Sequence, residues 1–541
     1  MTRVGGRSGE AGVRAELVRW RSGEAGVRAA LERWLAAGAG AGQGARVLRD
    51  NPRRRIMQLA GAPGGDLLVK HFRVASGRHP WRERAKALLG RGQAEREERA
   101  LRALRAAGVP VAEPLALGVL PDGDALLVLR FLAGVPLEDA LAAPPRERRA
   151  LLLRLGAAVA ALHGAGFAHG DLHLGNVFVA GGMPVLLDLQ RARATRGLRA
   201  RMADLGQLDY SLWERLGCAD RVRLRAAALG VARPFDAAAG QALRAAGRAA
   251  ELRAAQHARS RTRRALRPGR AFAATQVGGL RGLRVRELAE GELGLLVAFH
   301  EAAQARGGEE VMKADGRGRL SRLDSGRRSV VVKETPARGA LRAFADALRG
   351  SPGRRAWRAG HGLRARGIGA ALPLAFLEER RRGLPGRSLV VLEDLRPAPD
   401  ALEASRTDPG ATLEALLRLL VRLHRRGVDH GDLKCTNVHL AGPAPFRAAL
   451  VDLEGVRFRN ALPEAARLEA LAQLNASLPD EVPAAARRRA FARYCAALPF
   501  ERGPGAALAE VVARSLARRH RWTGAGCALA ERAATSRSSP R

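Results

Sequence analysis

Two stretches of this chain bring together side chains of the kind that move a phosphoryl group. LHGAGFAHGDLHLGNVFV (162–179) and LHRRGVDHGDLKCTNVHL (423–440) share the pattern L-H-x-x-G-x-x-H-G-D-L-x-x-x-N. Each precedes an apolar run ending in aspartate, PVLLDLQ with Asp188 and AALVDLE with Asp452. Each follows, about a hundred residues on, an apolar run closed by lysine, DLLVKHF with Lys70 and SVVVKET with Lys333. Phosphoryl transfer from ATP needs a cation on the α- and β-phosphates, a carboxylate for the acceptor hydroxyl's proton, and asparagine and aspartate oxygens for Mg2+. The chain supplies these in the kinase order: Lys70, Asp171, Asn176 and Asp188, then Lys333, Asp432, Asn437 and Asp452. Lys434, two residues past Asp432, is placed to meet the transferring group, and His173 takes that place in the first copy.

Spacing makes the two sets copies of one domain. Lysine and H-G-D aspartate are 101 residues apart in the first and 99 in the second, and aspartate and asparagine are 5 apart in both. The apolar runs ALLVLRFL (125–132) and SLVVLEDL (388–395) keep the 263-residue offset of the lysines. Such repetition indicates an internal duplication. The lysine-bearing runs read as short buried strands. A helix should present a glutamate to each lysine; Glu97, with Leu101 and Leu104 on one face, fits in the first copy. In the second copy the aligned position is Ala356, and no acid stands between Asp346 and Glu378, so Lys333 lacks the equivalent partner. Glycine-rich stretches precede both lysines, AGAPGG (60–65) and DGRG (315–318), neither being G-x-G-x-x-G. Glycine before the catalytic aspartate, no Phe-Gly after the metal-site aspartate and no A-P-E segment point away from a switched protein kinase.

The net charge of +40 suggests nucleic acid at first sight. Yet 88 of the 93 cationic residues are Arg, the pattern of a GC-rich gene, and aromatics are only 4%, leaving little for base stacking. Nucleic acid is therefore disfavoured, and the few lysines mark positions where a compact ammonium is required. Four cysteines without a C-x-x-C pair suit a reducing compartment and exclude a disulfide scaffold. Neither a spanning helix nor a signal peptide is apparent, so a cytoplasmic protein is expected.

The H-G-D-L-(K/H)-x-x-N loop, the V-x-V-K strand, the helix leading into R-G-I or A-G-V-P, and D-L-(E/Q)-x-x-R resemble the lipopolysaccharide core kinases, the Kdo/heptose kinase family. HGDLKCTN, VDLEGVRF and RRAWRAGHGLRARGIG make the second copy the closer match. HGDLHLGN in the first is also similar to aminoglycoside phosphotransferases. The resemblance covers roughly 50–215 and 310–460. It implies an enzyme of lipopolysaccharide biosynthesis that uses ATP and Mg2+ to phosphorylate a sugar hydroxyl of an anionic glycolipid, peripheral on the cytoplasmic face of the inner membrane.

The fold class expected is α+β, two tandem protein-kinase-like bilobal domains, each a β-rich N-lobe over a helical C-lobe. Boundaries are read as an N-terminal helical repeat extension (1–45), a first kinase-like domain (46–250), a basic connector with a hairpin (251–290), a second kinase-like domain (291–510) and a tail (511–541). RSGEAGVRAELVRW (7–20) and RSGEAGVRAALERW (21–34) read as two amphipathic helices, with Val13, Leu17 and Trp20 matching Val27, Leu31 and Trp34; packing on the first lobe is favoured over lying on a membrane. Two other readings stay open. One is a kinase for a small, aminoglycoside-like hydroxyl compound. In the other, one copy is a non-catalytic nucleotide-binding scaffold, for which the missing glutamate makes the second copy the natural candidate.

Overall fold

A computed structural model describes residues 18–36, 45–62, 65–74, 80–120, 123–232, 236–316, 318–337 and 339–518. The chain forms two compact units, 1–254 and 255–541. Each has a sheet-based lobe followed by a helical one, so the fold is that of two kinase-like domains in tandem.

In the first unit β1 (Arg19–Gly23), α1 (Ala25–Ala36), β2 (Ala45–Asn51), β3 (Arg54–Leu59), β4 (Leu67–Phe72), α2 (Pro80–Leu88), α3 (Gln93–Ala106), β5 (Pro114–Val119) and β6 (Ala125–Arg130) build the first lobe. The sheet runs β1-β5-β6-β4-β3-β2, antiparallel throughout. Successive strand residues face opposite sides. Leu67 and Val69 of β4, with Leu126 and Val128 of β6, meet Val27, Leu31 and Leu35 of α1. Leu127 and Leu129 turn the other way, into the cluster that holds Leu101 and Leu104 of α3. Lys70 is one residue beyond Val69, so its side chain leaves on the α3 side.

The second unit repeats the plan with β7 (Phe272–Val277), β8 (Leu280–Val285), α4 (Glu290–Arg306), β9 (Val311–Asp315), β10 (Gly318–Asp324), β11 (Ser329–Thr335), α5 (Ala340–Arg349), α6 (Pro352–Arg364), β12 (Pro373–Arg381) and β13 (Leu384–Glu393). Its sheet runs β7-β8-β12-β13-β11-β10-β9. Apart from the added edge strand β7, the order is that of the first sheet. Val330 and Val332 pack with Leu293, Leu296 and Val297 of α4. Lys333 again leaves on the opposite side.

The terminal regions differ from the reading above. Residues 7–17 lie outside the described residues, and so do the expected helical positions Val13 and Leu17. Trp20 is in a strand, because Arg19–Gly23 extends the sheet by pairing with β5. The second repeat does form a helix, α1, whose Val27, Leu31 and Leu35 are buried, each worth about 1.5–3 kcal/mol of burial. This strand and helix, expected as a separate extension, are part of the lobe and correspond to β8 and α4. The basic connector is half helix, since Ala237–Arg264 is one helix, and half hairpin, since β7 and β8 pair. The expected tail begins inside a helix, Pro504–Ala517, that buries Val511 and Ser515.

In the second helical lobe His424 is 6% exposed, and its Nδ1 lies 2.7 Å from the Tyr494 hydroxyl. Burial, aided by the charge of Arg467, pushes its pKa down to about 3. The folded protein keeps this ring neutral, whereas the unfolded chain binds a proton below about pH 6.5. Stability is therefore full above that pH and falls as pH drops toward the folded value. His424→Asn is expected to lose about 2 kcal/mol less stability than the wild type between pH 7 and 5, measured by urea denaturation. Equal pH dependence in both proteins would contradict this assignment.

Candidate active site

The H-G-D loops are set by hydrogen bonds that the two units share. Asn176 Nδ2 donates to the Asp171 carbonyl at 2.9 Å, and Asn437 Nδ2 to the Asp432 carbonyl at 2.8 Å. The asparagine backbone carbonyls accept from the N–H groups of Leu187 and Val451, one residue before Asp188 and Asp452. The carbonyls of the same two residues lie 3.0 Å from His169 Nε2 and His430 Nε2. Burial holds both rings below the usual histidine range. Gly170 and Gly431 have φ of 76° and 84°. A Cβ at Gly170 would lie 2.6 Å from the Arg191 carbonyl, so this position requires glycine.

Asp188 and Asp452 adopt left-handed backbone, with φ of 61° and 55°. Among the described residues only Arg382 joins them as a non-glycine residue at positive φ. Aspartate tolerates this conformation better than most side chains, and its use here turns the carboxylate sharply off the end of the strand.

The first unit is a closed set of ion pairs. Lys70 Nζ donates to Glu97 Oε1 at 2.5 Å, both side chains being almost fully buried. Arg54, at the start of β3, grips Asp188 with both ends of its guanidinium, at 3.0 and 3.2 Å. Burial would raise the Asp188 pKa, but the Arg54 hydrogen bonds and the charges of Lys70 and Arg54 outweigh it and hold the carboxyl below its ordinary range. Asp171 receives Gln207 Nε2 at 2.7 Å and Arg191 Nη1 at 3.3 Å. The backbone N–H groups of His169 and Gly170 donate to Asp204. His173 accepts from the Gly175 N–H through Nδ1.

The second unit is more open. Lys333 Nζ donates to Asp452 Oδ1 at 2.6 Å and to Glu454 Oε1 at 2.8 Å. Glu454 thus supplies the carboxylate that Ala356, buried on α6, cannot. Burial would lower the Lys333 pKa, and the two carboxylates reverse that and raise it. Asp452 is held low against its own burial, chiefly by Lys333. Lys434 Nζ lies 2.9 Å from Asp432 Oδ2.

The glycine stretches are not equivalent. Lys70 pairs with Ile56 and Lys333 with Leu320, so Arg54 of the first unit corresponds to Gly318 of the second. DGRG lies where β9 turns into β10, beside the lysine strand. AGAPGG instead joins β3 to β4, its residues 63–64 lying outside the described set. The matching turn of the first unit is Asn51–Arg54, which has no glycine.

Neither site is a ready cage of protein ligands, for among the described residues no three His, Cys, Asp or Glu side chains cluster to hold a metal. A Mg2+ would take an asparagine and an aspartate oxygen and complete its shell with phosphate and water. The second unit fits this. Asn437 leaves its Oδ1 uncommitted, and Asp452 is about a third exposed with a single partner. The first does not fit, because Arg54 occupies both Asp188 oxygens.

Arg54, Asp204, Gln207 and Glu454 were not among the residues anticipated from the sequence. Gln207 and Ser211 recur as Gln473 and Ser477 in a repeated L-x-Q-L-x-x-S, which was the available signal. Ser211 and Ser477 accept the N–H of Leu174 and Cys435, three residues past each aspartate.

A strand-borne lysine, an H-G-D loop tied to its asparagine and a left-handed aspartate, twice over, define kinase-fold domains. The chain belongs to the lipopolysaccharide kinase (Kdo/WaaP) family, whose model matches residues 41–227 and 344–494. A stretch of 117 residues is 34% identical to a probable bifunctional tRNA threonylcarbamoyladenosine biosynthesis protein of Methanothermobacter thermautotrophicus. It covers 22% of this chain and 20% of that protein, about a fifth of the relative's length. Among solved structures, WaaP in complex with acyl carrier protein is similar at 22% identity and TM-score 0.30, over 40% of this chain and 90% of that one. The Rio2 kinase-ADP/Mg2+-phosphoaspartate complex of Chaetomium thermophilum is similar at 18% identity and TM-score 0.27, over 44% and 82%.

The two lysines differ in what their loss leaves behind. Lys70→Met strands a buried Glu97 and is expected to cost about 3–5 kcal/mol, which Lys70→Met/Glu97→Leu largely restores. Lys333→Met, among partly exposed carboxylates, is expected to cost under about 1 kcal/mol. Urea denaturation checks both, and equal losses would refute the contrast.

Proposed function

We propose that this protein uses ATP and Mg2+ to phosphorylate a sugar hydroxyl on a lipopolysaccharide core glycolipid at the cytoplasmic face of the inner membrane. The observation that carries the reading is the hydrogen-bonded set Lys333, Asp432, Asn437 and Asp452, with Lys434 beside the catalytic aspartate. Lys333 holds the α- and β-phosphates. Asn437 and Asp452 would hold Mg2+, which when bound neutralises charge on the phosphate oxygens. Asp432 orients the sugar hydroxyl and takes its proton as the oxygen forms a bond to the γ-phosphorus and the bond to ADP breaks. Lys434 lies along the transferring group. In the first unit the corresponding residues are Lys70 with Glu97, Asp171, Asn176 and Asp188.

Two features support an anionic lipid acceptor. A cavity of about 680 Å³ beside Glu454 is lined by Arg342, Arg349, Arg358 and Arg457. Among the described residues none of these four guanidiniums has an ion-pair partner, so they suit phosphate or carboxylate groups. On its rim, α5 exposes Leu341, Phe344 and Leu348, at 90%, 61% and 76%. This apolar stripe beside arginines has the form of a helix that lies in an anionic membrane surface. Among the described residues no helix is long and apolar enough to cross a membrane.

Labelled γ-phosphate should pass to core glycolipid and not to free sugars or protein, with Asp432→Asn slowing transfer by about 10²–10⁴-fold. Transfer to free sugars alone would favour the small-molecule kinase instead. Leu341→Ser/Phe344→Ser/Leu348→Ser should weaken flotation with phosphatidylglycerol vesicles at least tenfold. Unchanged flotation would remove α5 from the membrane contact.

A further inference from the structure

We infer that the guanidinium of Arg54 takes the place of the metal ion in the first unit, so that magnesium-dependent chemistry belongs to the second unit alone. The inference rests on the kinase reading above and assigns its two sites different tasks.

Charge and geometry both lead there. In the first unit Lys70 and Arg54 face Glu97 and Asp188, two cations against two anions, and each cation is bonded to its own carboxylate. The set is neutral and closed. Arg54 presents a planar fork to both Asp188 oxygens, the bidentate arrangement that most fully satisfies a carboxylate. Its side chain is 14% exposed and lies over the Phe72 ring at 5.8 Å, so packing as well as charge holds it in place. A magnesium ion approaching Asp188 would have to displace a buried guanidinium and leave it unpaired, which is costly.

In the second unit Lys333 is, among the described residues, the one cation bonded to Asp452 and Glu454, a single ammonium shared by two carboxylates. Asp452 thus keeps one carboxylate oxygen without a bonded cation, open to a divalent ion. When Lys333 turns to phosphate, Asp452 and Glu454 are both released. Among the described residues none corresponds to Arg54 there, because its register position is Gly318, whose N–H donates to Asp315 in the turn. The difference is written in the sequence, arginine against glycine at one register position. It reverses the assignment that the missing helix glutamate suggests: the second unit, with Glu454 as substitute, keeps a metal site, and the first, with its Lys70–Glu97 pair intact, has lost one.

The test counts manganese bound with a non-hydrolysable ATP analogue, by electron paramagnetic resonance, on the full-length protein. Wild type should bind manganese, and Asp452→Asn should abolish that binding. Adding Arg54→Gly to Asp452→Asn should restore manganese binding, and a further Asp188→Asn should remove it again. Arg54→Gln, which keeps hydrogen bonding and loses the charge, should also restore it and guards against a folding defect in the glycine variant, with thermal melts confirming that each is folded. Manganese retained by Asp452→Asn and lost on adding Asp188→Asn, with Arg54 intact, would overturn the inference. Folded Arg54 variants that gain none would overturn it too. If wild type binds no manganese nucleotide while Arg54→Gly does, the inference stands and the kinase reading of the second unit falls.

Discussion

Each site depends on one short hydrogen bond, from an asparagine amide to the carbonyl of the aspartate five residues earlier. That bond closes the H-G-D loop into a fixed shape. The asparagine's own backbone carbonyl then receives the strand that delivers Asp188 or Asp452, and a buried histidine fastens the same strand from the other side. The carboxylates are thus oriented by backbone contacts before any ligand arrives. Preorganisation of this kind is what a charge-transfer site needs, since little reorganisation is left for the reaction itself.

Much of this was legible in the sequence because rare residue types stood at repeated intervals. A lysine at the end of an apolar strand has only two faces to choose between, and strand periodicity fixes which one. The repeated H-G-D-L-x-x-x-N and the following aspartate therefore identified kinase-like domains, and Glu97 was picked from its neighbours Glu95 and Glu98 by its register with Leu101 and Leu104. What escaped notice was contact between residues distant in sequence. Arg54 and Asp188 are 134 residues apart, and nothing local marks one arginine among so many as the one that turns inward. The glycine stretch before Lys70 is not the counterpart of the one before Lys333, for a related reason. Glycine content shows that a turn is present, but strand register decides which turn faces the site. Trp20 misled because helical spacing does not show that the end of a repeat can pair with a sheet, and here Arg19 and Trp20 pair with β5.

The two units show how a duplicated site drifts without losing its frame. The backbone bonds of the H-G-D loop and the paired Ser211 and Ser477 are retained, because each satisfies a backbone group that burial would otherwise strand, while Gln207 and Gln473 keep their place but bond Asp171 Oδ1 in one unit and the Leu433 N–H in the other. The charged positions are less constrained. A glutamate lost from the helix is replaced by one on the loop after Asp452, and a glycine at one turn is matched by arginine at the other. The arginine fills both oxygens of Asp188, where Asp452 meets a single ammonium.

The tandem repeat at the amino terminus has its own consequence. Its two copies are nearly the same sequence; β1 takes Arg19 and Trp20 from the first and Arg21–Gly23 from the second, whose residues from Ala25 on go into α1. Slipped replication of the gene, adding or deleting one copy, would still leave a run with valines and leucines at helical spacing to cover the sheet. The helix on this border of the lobe is therefore buffered against changes of length, whereas β1 keeps its Arg19 and Trp20 pairing with β5 only where one copy precedes the copy that coils.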